Sequence, residues 1–246
     1  MKPRITTSIF AAACIAAASA AHALPLNDRT TLELFAGGNV ATPGSFRGPV
    51  HVDTPSGATD FTRLDFDDAY QHDYTAGLEV AHNIDSHVSA FARAAYSQFN
   101  GQSREIGALT SPTAGRMPID ARFSDAGTAE LDVGARYNFT PLGEKWRPFV
   151  GAALGATHIG NTFAKVGSTS VAVGKSDTVF QQRMETGLQY SPMPNFGLRL
   201  TAAATHVDGA RGSTDPTLSL LGLDSSNSGI HEHWEYPAEI GAVWHF

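Results

Sequence analysis

Beyond residue 30 the chain alternates apolar and polar residues with a period of two, and the alternation predicts eight β-strands. The clearest is Thr128–Phe139, where Ala129, Leu131, Val133, Ala135, Tyr137 and Phe139 share one face. The same rhythm predicts strands at about Thr31–Val40, Tyr74–His82, Val88–Phe99, Trp146–Ile159, Thr178–Tyr190, Phe196–Val207 and His233–Phe246. In the last of these, Ala238, Ile240, Ala242, Trp244 and Phe246 fall on one face. Each strand is long enough to cross a bilayer when tilted.

The connections alternate in length. Short ones at 83–87, 140–145 and 191–195 carry turn formers such as Asn83-Ile84-Asp85, Pro141-Leu142-Gly143 and Pro192-Met193-Pro194-Asn195. Long ones fall at 41–73, 100–127, 160–177 and 208–232. A soluble sandwich has no need of such regularity, whereas a barrel with all its short turns on one side of a membrane requires it. The expected fold is therefore all-β, an eight-stranded antiparallel up-and-down transmembrane β-barrel.

The opposite faces of these strands carry most of the strand charges. They are Glu33, Glu79, Glu130, Asp132, Glu185 and Glu239 on one side of the balance, and Arg93, Arg136, Arg147, Arg183 and Arg199 on the other. An interior enclosed by eight strands is nearly filled by its side chains. Mixed signs without lysine predict a paired network, because the planar guanidinium fork bridges carboxylates. The network is expected to be a structural plug; the alternative is a narrow gated path for ions or small solutes.

Composition narrows the class. Lys2 and Arg4, the small and apolar stretch from Ile9 to Ala20, and Ala21-His22-Ala23 have the form of a cleaved secretory leader, 1–23. That leaves one domain, 24–246. Cys14 lacks the preceding leucine expected of a lipidated cysteine and would leave with the leader. Losing Lys2 and Arg4 from 17 basic residues leaves 15 against 24 acidic ones, so the net charge moves from −7 to −9. An acidic chain is not expected to bind nucleic acid, and without cysteine it has no thiolate chemistry.

The pattern Glu239-x-Gly241-x-x-Trp244-x-Phe246 is repeated in Asp132-x-Gly134-x-x-Tyr137-x-Phe139, in Glu185-x-Gly187-x-x-Tyr190 and, more faintly, in Thr75-x-Gly77-x-x-Val80. Aromatic residues gather toward both strand ends, as interfacial anchoring favours. With Glu130–Phe139, Arg147–Thr157, Arg63–Tyr70 and the terminal EIGAVWHF, these motifs resemble the small eight-stranded outer-membrane barrels of Gram-negative bacteria, the OmpA/OmpX and opacity-protein type. The resemblance implies export through the general secretory pathway and contact with outer-membrane lipid and lipopolysaccharide. It also implies assembly by the barrel-assembly machinery through the last strand, with Gly241, Trp244 and Phe246 as its signal. A monomer with surface-exposed loops is expected. The chain stops at the barrel, so no peptidoglycan-binding domain and no tether to the cell wall are implied.

Catalysis and metal binding are not expected. His206-Val207-Asp208 near the outer end of the seventh strand offers a base but no nearby serine, so it departs from lipid A deacylases. His231-Glu232-His233 is a spacing that ten histidines produce by chance. The inward charges argue against an apolar solute path, and no cofactor is expected. The long connections, including Phe46-Arg47-Gly48-Pro49-Val50 and 112–122, are the expected interaction surface, though solvated connection is their default reading.

Overall fold

A computed structural model describes residues 29–42, 45–47, 50–54, 57–210 and 231–246. The leader, Gly48, Pro49 and most of the last long connection lie outside the described residues. In chain order the elements are β1 (Thr30–Asn39), β2 (Ser45–Arg47), β3 (Val50–Thr54), β4 (Gly57–Phe61), β5 (Leu64–Asp65), α1 (Phe66–Ala69), β6 (Tyr70–Asn83) and β7 (Val88–Gly101). Then come β8 (Ser103–Ser111), β9 (Gly115–Phe123), β10 (Ala126–Asn138), β11 (Trp146–Ile159), β12 (Thr162–Val166) and β13 (Thr169–Gly174). The last are β14 (Asp177–Met193), β15 (Phe196–Val207), β16 (His233–Glu235) and β17 (Pro237–His245).

Strands β1, β6, β7, β10, β11, β14, β15 and β17 each pair antiparallel with their sequence neighbours, and β17 returns to β1, closing an eight-stranded barrel. At the seam Leu34 of β1 lies between Leu78 of β6 and Ala242 of β17. β16 shares one register with β17 along β15, with Glu235 opposite Thr205 and Ala238 opposite Ala202. Between them Tyr236 leaves the ladder to donate its N–H to the Ala41 carbonyl at 3.1 Å. Partners can be followed around the barrel from Thr31 through Ala81, Phe91, Gly134, Ala153, Arg183 and Thr205 to Glu235. That path returns to the first strand about ten residues beyond its start, a stagger that goes with strands tilted by about 40°.

The expected strands are all present, with shifted ends. β6 begins at Tyr70, four positions before the alternation becomes regular, because Leu64, Phe66, Ala69 and Tyr70 pack into an apolar core. β14 continues to Met193, so the third short connection shrinks to Pro194 and Asn195, with Met193 opposite Phe196. The first short turn is fixed by Asp85, whose Oδ1 accepts the N–H groups of His87 at 2.6 Å and Val88 at 2.7 Å. Those two donors hold the Asp85 carboxyl below its ordinary range. The second turn passes through Gly143 at φ 71, a left-handed conformation that favours glycine.

The long connections differ most from expectation. The first three are not simple solvated links. Each rises as a hairpin, β3–β4, β8–β9 and β12–β13, and the hairpins join side by side into a six-stranded sheet in the order β13-β12-β9-β8-β4-β3. Beneath this crown lies an apolar core that includes Phe61, Leu64, Phe66, Ile106, Phe123, Val171, Val179 and Val207. The core reaches down into the crown end of the barrel, so the interior has two layers, mostly apolar above and charged below.

His51 of β3 and Asp60 of β4 are cross-strand partners and an ion pair, and the other ring nitrogen of His51 is 3.1 Å from Asp53. The hydrogen bond to Asp60, followed by that to Asp53, raises the His51 pKa above its ordinary value. A raised folded-state pKa means the pairing is complete below about pH 6.5 and is lost as pH rises through the higher folded value. Limited proteolysis of the first hairpin should therefore be slower at pH 6 than at pH 9. His51→Gln should remove the difference; a cleavage rate ratio unchanged in that variant would show that His51 is not the group responsible.

Candidate functional site

The outer wall is apolar where it is exposed. Leu131, Val133, Leu154, Met184, Leu200 and Ile240 point outward, and Met184 is 70 % exposed. In water such a band would bury itself, and monomers seldom leave so wide an apolar surface uncovered. Aromatic residues bound it above and below. On the side of the short turns stand Tyr137, Phe139, Trp146, Tyr190, Phe196, Trp244 and Phe246, with Trp146 against Tyr190 at 4.6 Å and Phe196 against Trp244 at 5.9 Å between ring centroids. On the side of the crown stand Tyr74, Tyr96, Phe180, Trp234 and Tyr236, all exposed. Phe180 and Tyr190 lie ten positions apart on β14. At about 3.3 Å per residue and about 40° of tilt this spans about 25 Å, the height of the apolar band of an outer-membrane barrel.

The inner wall is the reverse. Glu33, Glu79, Arg93, Asp132, Arg136, Arg183, Glu185, Arg199 and Glu239 are buried inside the barrel, and Glu130 sits at their edge. Arg93 donates to Glu130 at 3.0 Å, Asp132 at 3.1 Å and Glu239 at 2.6 Å. Arg136 is bidentate on Glu79, at 2.7 and 2.9 Å, and donates to Glu185 at 2.5 Å. Arg183 bridges Glu185 at 3.2 Å and Glu239 at 2.8 Å. Arg199 joins Glu33 and Glu79 and donates to Gln189 at 3.0 Å. Gln181, which sequence reasoning left out, donates to Asp132 at 2.5 Å and accepts from Thr157. Its polar side chain at an inward position of β14 was the available signal.

Arg147 is a correction. Its position on β11 has the inward parity, but it lies exposed at the turn end and makes no ion pair among the described residues. The cluster has four arginines, not five, and Arg147→Ala should change unfolding free energy by less than about 0.5 kcal/mol.

The glycine repeat now has a physical reason. Gly77, Gly134 and Gly187 face inward directly opposite Phe35, Phe91 and Phe149 of the neighbouring strands. A Cβ at these positions would collide with the ring opposite, so the missing side chain lets each ring lie across the next strand. The rings then carry the cations: Arg93 lies 4.4 Å above Phe35, and Arg136 lies 4.6 Å from Phe91 and 4.8 Å from Phe149. Gly241 does the same for a charge, since a Cβ there would enter the Glu33 carboxylate. Gly241→Ala should cost about 1–3 kcal/mol by forcing Glu33 from Arg199. A urea midpoint unchanged by that substitution would contradict this packing.

Among the described residues, neither histidine motif is hydrogen-bonded to a serine or threonine hydroxyl. His206 faces outward, with Nδ1 3.7 Å from Asp208 and its ring against Trp234 at 5.0 Å. His233 is buried against the Phe66 ring and 3.3 Å from Glu235, while His231 and Glu232 are exposed.

An apolar exterior with two aromatic girdles around a charged, hydrogen-bonded interior defines a membrane-spanning β-barrel of outer-membrane type. No family model and no curated sequence matches the chain. Solved structures similar to it include Neisserial surface protein A, with TM-score 0.45 and 11 % identity over 89 % of this chain and 98 % of that one. Ail, the attachment invasion locus protein of Yersinia pestis, has TM-score 0.43 and 13 % identity over 90 % and 100 %. The outer membrane protein OprG from Pseudomonas aeruginosa has TM-score 0.45 and 10 % identity over 90 % and 98 %. The assignment of the barrel rests on the closed register and the inverted surface, not on these likenesses.

Proposed function

We propose that this chain is an integral outer-membrane protein with a closed, structural interior, whose hairpin crown is its working surface outside the cell. The observation that carries the reading is the inversion of polarity across the wall, with charged groups inside and exposed leucines, valines and aromatic rings outside. The lower interior is filled by four arginines and their carboxylates, and the apolar core stands in series above it. An ion would have to break ion pairs and then pass a packed, mostly apolar layer that offers few groups to replace its water. The crown is a six-stranded hydrogen-bonded sheet above the membrane, a scaffold suited to recognition. Contact with lipopolysaccharide at the upper girdle and assembly through Gly241, Trp244 and Phe246 belong to the same proposal.

Planar-bilayer recordings test the closed interior. The protein should give no steady conductance, and Glu130→Ala should not open one, because the upper apolar layer remains. Steady unitary currents from the unaltered chain would favour the gated path instead.

A further inference from the structure

The fold brings a serine to a histidine other than His206. His158, near the crown end of β11, faces outward directly opposite Thr178 of β14. One ring nitrogen, Nδ1, is 2.9 Å from the Thr178 hydroxyl, and the other, Nε2, is 3.3 Å from the hydroxyl of Ser176. With Nδ1–H donating to Thr178, the Nε2 lone pair is left to accept from Ser176. This is the base–nucleophile contact that hydroxyl activation requires, with a third group fixing the tautomer. The Ser176 N–H donates to Asn161 Oδ1 at 2.8 Å, which fixes the serine backbone and brings the Asn161 side-chain amide beside it. Lys175, the preceding residue, is exposed and makes no ion pair among the described residues.

The depth of this cluster suggests its substrate. Thr178 lies two positions above the girdle residue Phe180, about 5 Å along the barrel axis. The headgroup layer begins where the hydrocarbon ends and is about 5–8 Å thick. Below His158 the same outward face continues as Ala156 and Leu154, an apolar wall along which a chain can lie. We propose that Ser176 and His158 form a catalytic pair that hydrolyses long-chain acyl esters of outer-leaflet lipids. The Ser176 Oγ bonds to the ester carbonyl carbon while its proton passes to His158 Nε2. The tetrahedral oxyanion is met by the Asn161 amide. Collapse breaks the C–O bond, and His158 returns the proton to the leaving alcohol. Water, deprotonated by His158, then attacks the acyl-serine, releasing the fatty acid and restoring Ser176. Lys175 is placed to hold an anionic headgroup. With threonine in the orienting position instead of a carboxylate, turnover is slow, and covalent labelling is the sensitive readout.

The refolded full chain in detergent is treated with a fluorescent alkyl fluorophosphonate, in which Ser176 Oγ would bond to phosphorus as fluoride leaves. Labelling should occur in the unaltered chain and vanish in Ser176→Ala. It should fall by about a hundredfold in His158→Gln. Both variants should keep the heat-shifted band of a folded barrel, since all these side chains lie at the surface. An unlabelled wild type, labelling that survives Ser176→Ala, or labelling indifferent to His158→Gln would each overturn the pair. Vesicles of phosphatidylethanolamine and of lipopolysaccharide, assayed for released fatty acid by mass spectrometry, identify the source of the ester. Release from neither, with labelling intact, overturns the lipid substrate.

Discussion

Replacing Arg136 by alanine is expected to lower the unfolding free energy by about 3–5 kcal/mol, the cost of stranding buried charges whose partner is removed. Arg136 is 2 % exposed and is the hub of its cluster. It makes both hydrogen bonds of a bidentate pair with Glu79, two more with Glu185, and stacks between Phe91 and Phe149. Alanine would leave Glu79 with only Arg199, and Glu185 with only Arg183. It would also open a void beneath two rings. Lysine should rescue part of the loss, because a point charge restores attraction but not the fork or the stacking. Urea unfolding of the protein refolded into detergent, read beside Arg147→Ala, provides the comparison. Equal effects at positions 136 and 147 would show that the interior charges are solvated and independent, contrary to a packed network.

Gly187→Val should be at least as damaging, with a cost of about 3 kcal/mol or more, because the conflict is with backbone as well as side chain. A Cβ at Gly187 would meet the Leu200 carbonyl oxygen across the ladder and would stand 2.6 Å from Cζ and 2.8 Å from Cε1 of Phe149. Valine adds two methyl groups to that collision. Phe149 cannot yield freely, since its ring lies 4.8 Å from the Arg136 guanidinium and 5.4 Å from that of Arg199. Trimming the ring should relieve the clash, so Gly187→Val combined with Phe149→Ala should be more stable than the two losses added together. Strict additivity would mean that the ring and the glycine do not meet.

The strands were legible because each buries one face, and a period of two states both the element and the side it presents. That parity placed Glu79, Arg93, Asp132 and Arg136 correctly on the inner wall. It failed at Arg147 for a definite reason: parity gives the face of a strand but not the depth along the barrel. The glycine repeat was visible as a motif, but its purpose depends on which phenylalanine lies opposite, and register is a property of two strands. The crown was hidden because four of its six strands have only five or six residues, too few to establish an alternation. Its pairings, such as β4 with β8 and β9 with β12, join separate connections. Its core gathers Phe61, Ile106, Phe123 and Val171 from three hairpins, none amphipathic enough alone to announce a buried face. Ser176 and His158, 18 residues apart, gave no local signal either.

The central claim is that this chain closes into a barrel that turns its apolar face to lipid, and its gel mobility after refolding tests that most directly. The protein refolded into detergent should run as a compact, protease-resistant band that shifts on boiling. Removing Trp244, His245 and Phe246 should impair formation of that band, because Trp244 seals β17 against Leu32 and Phe196. A chain that stays in solution without detergent and runs identically boiled and unboiled would contradict the account.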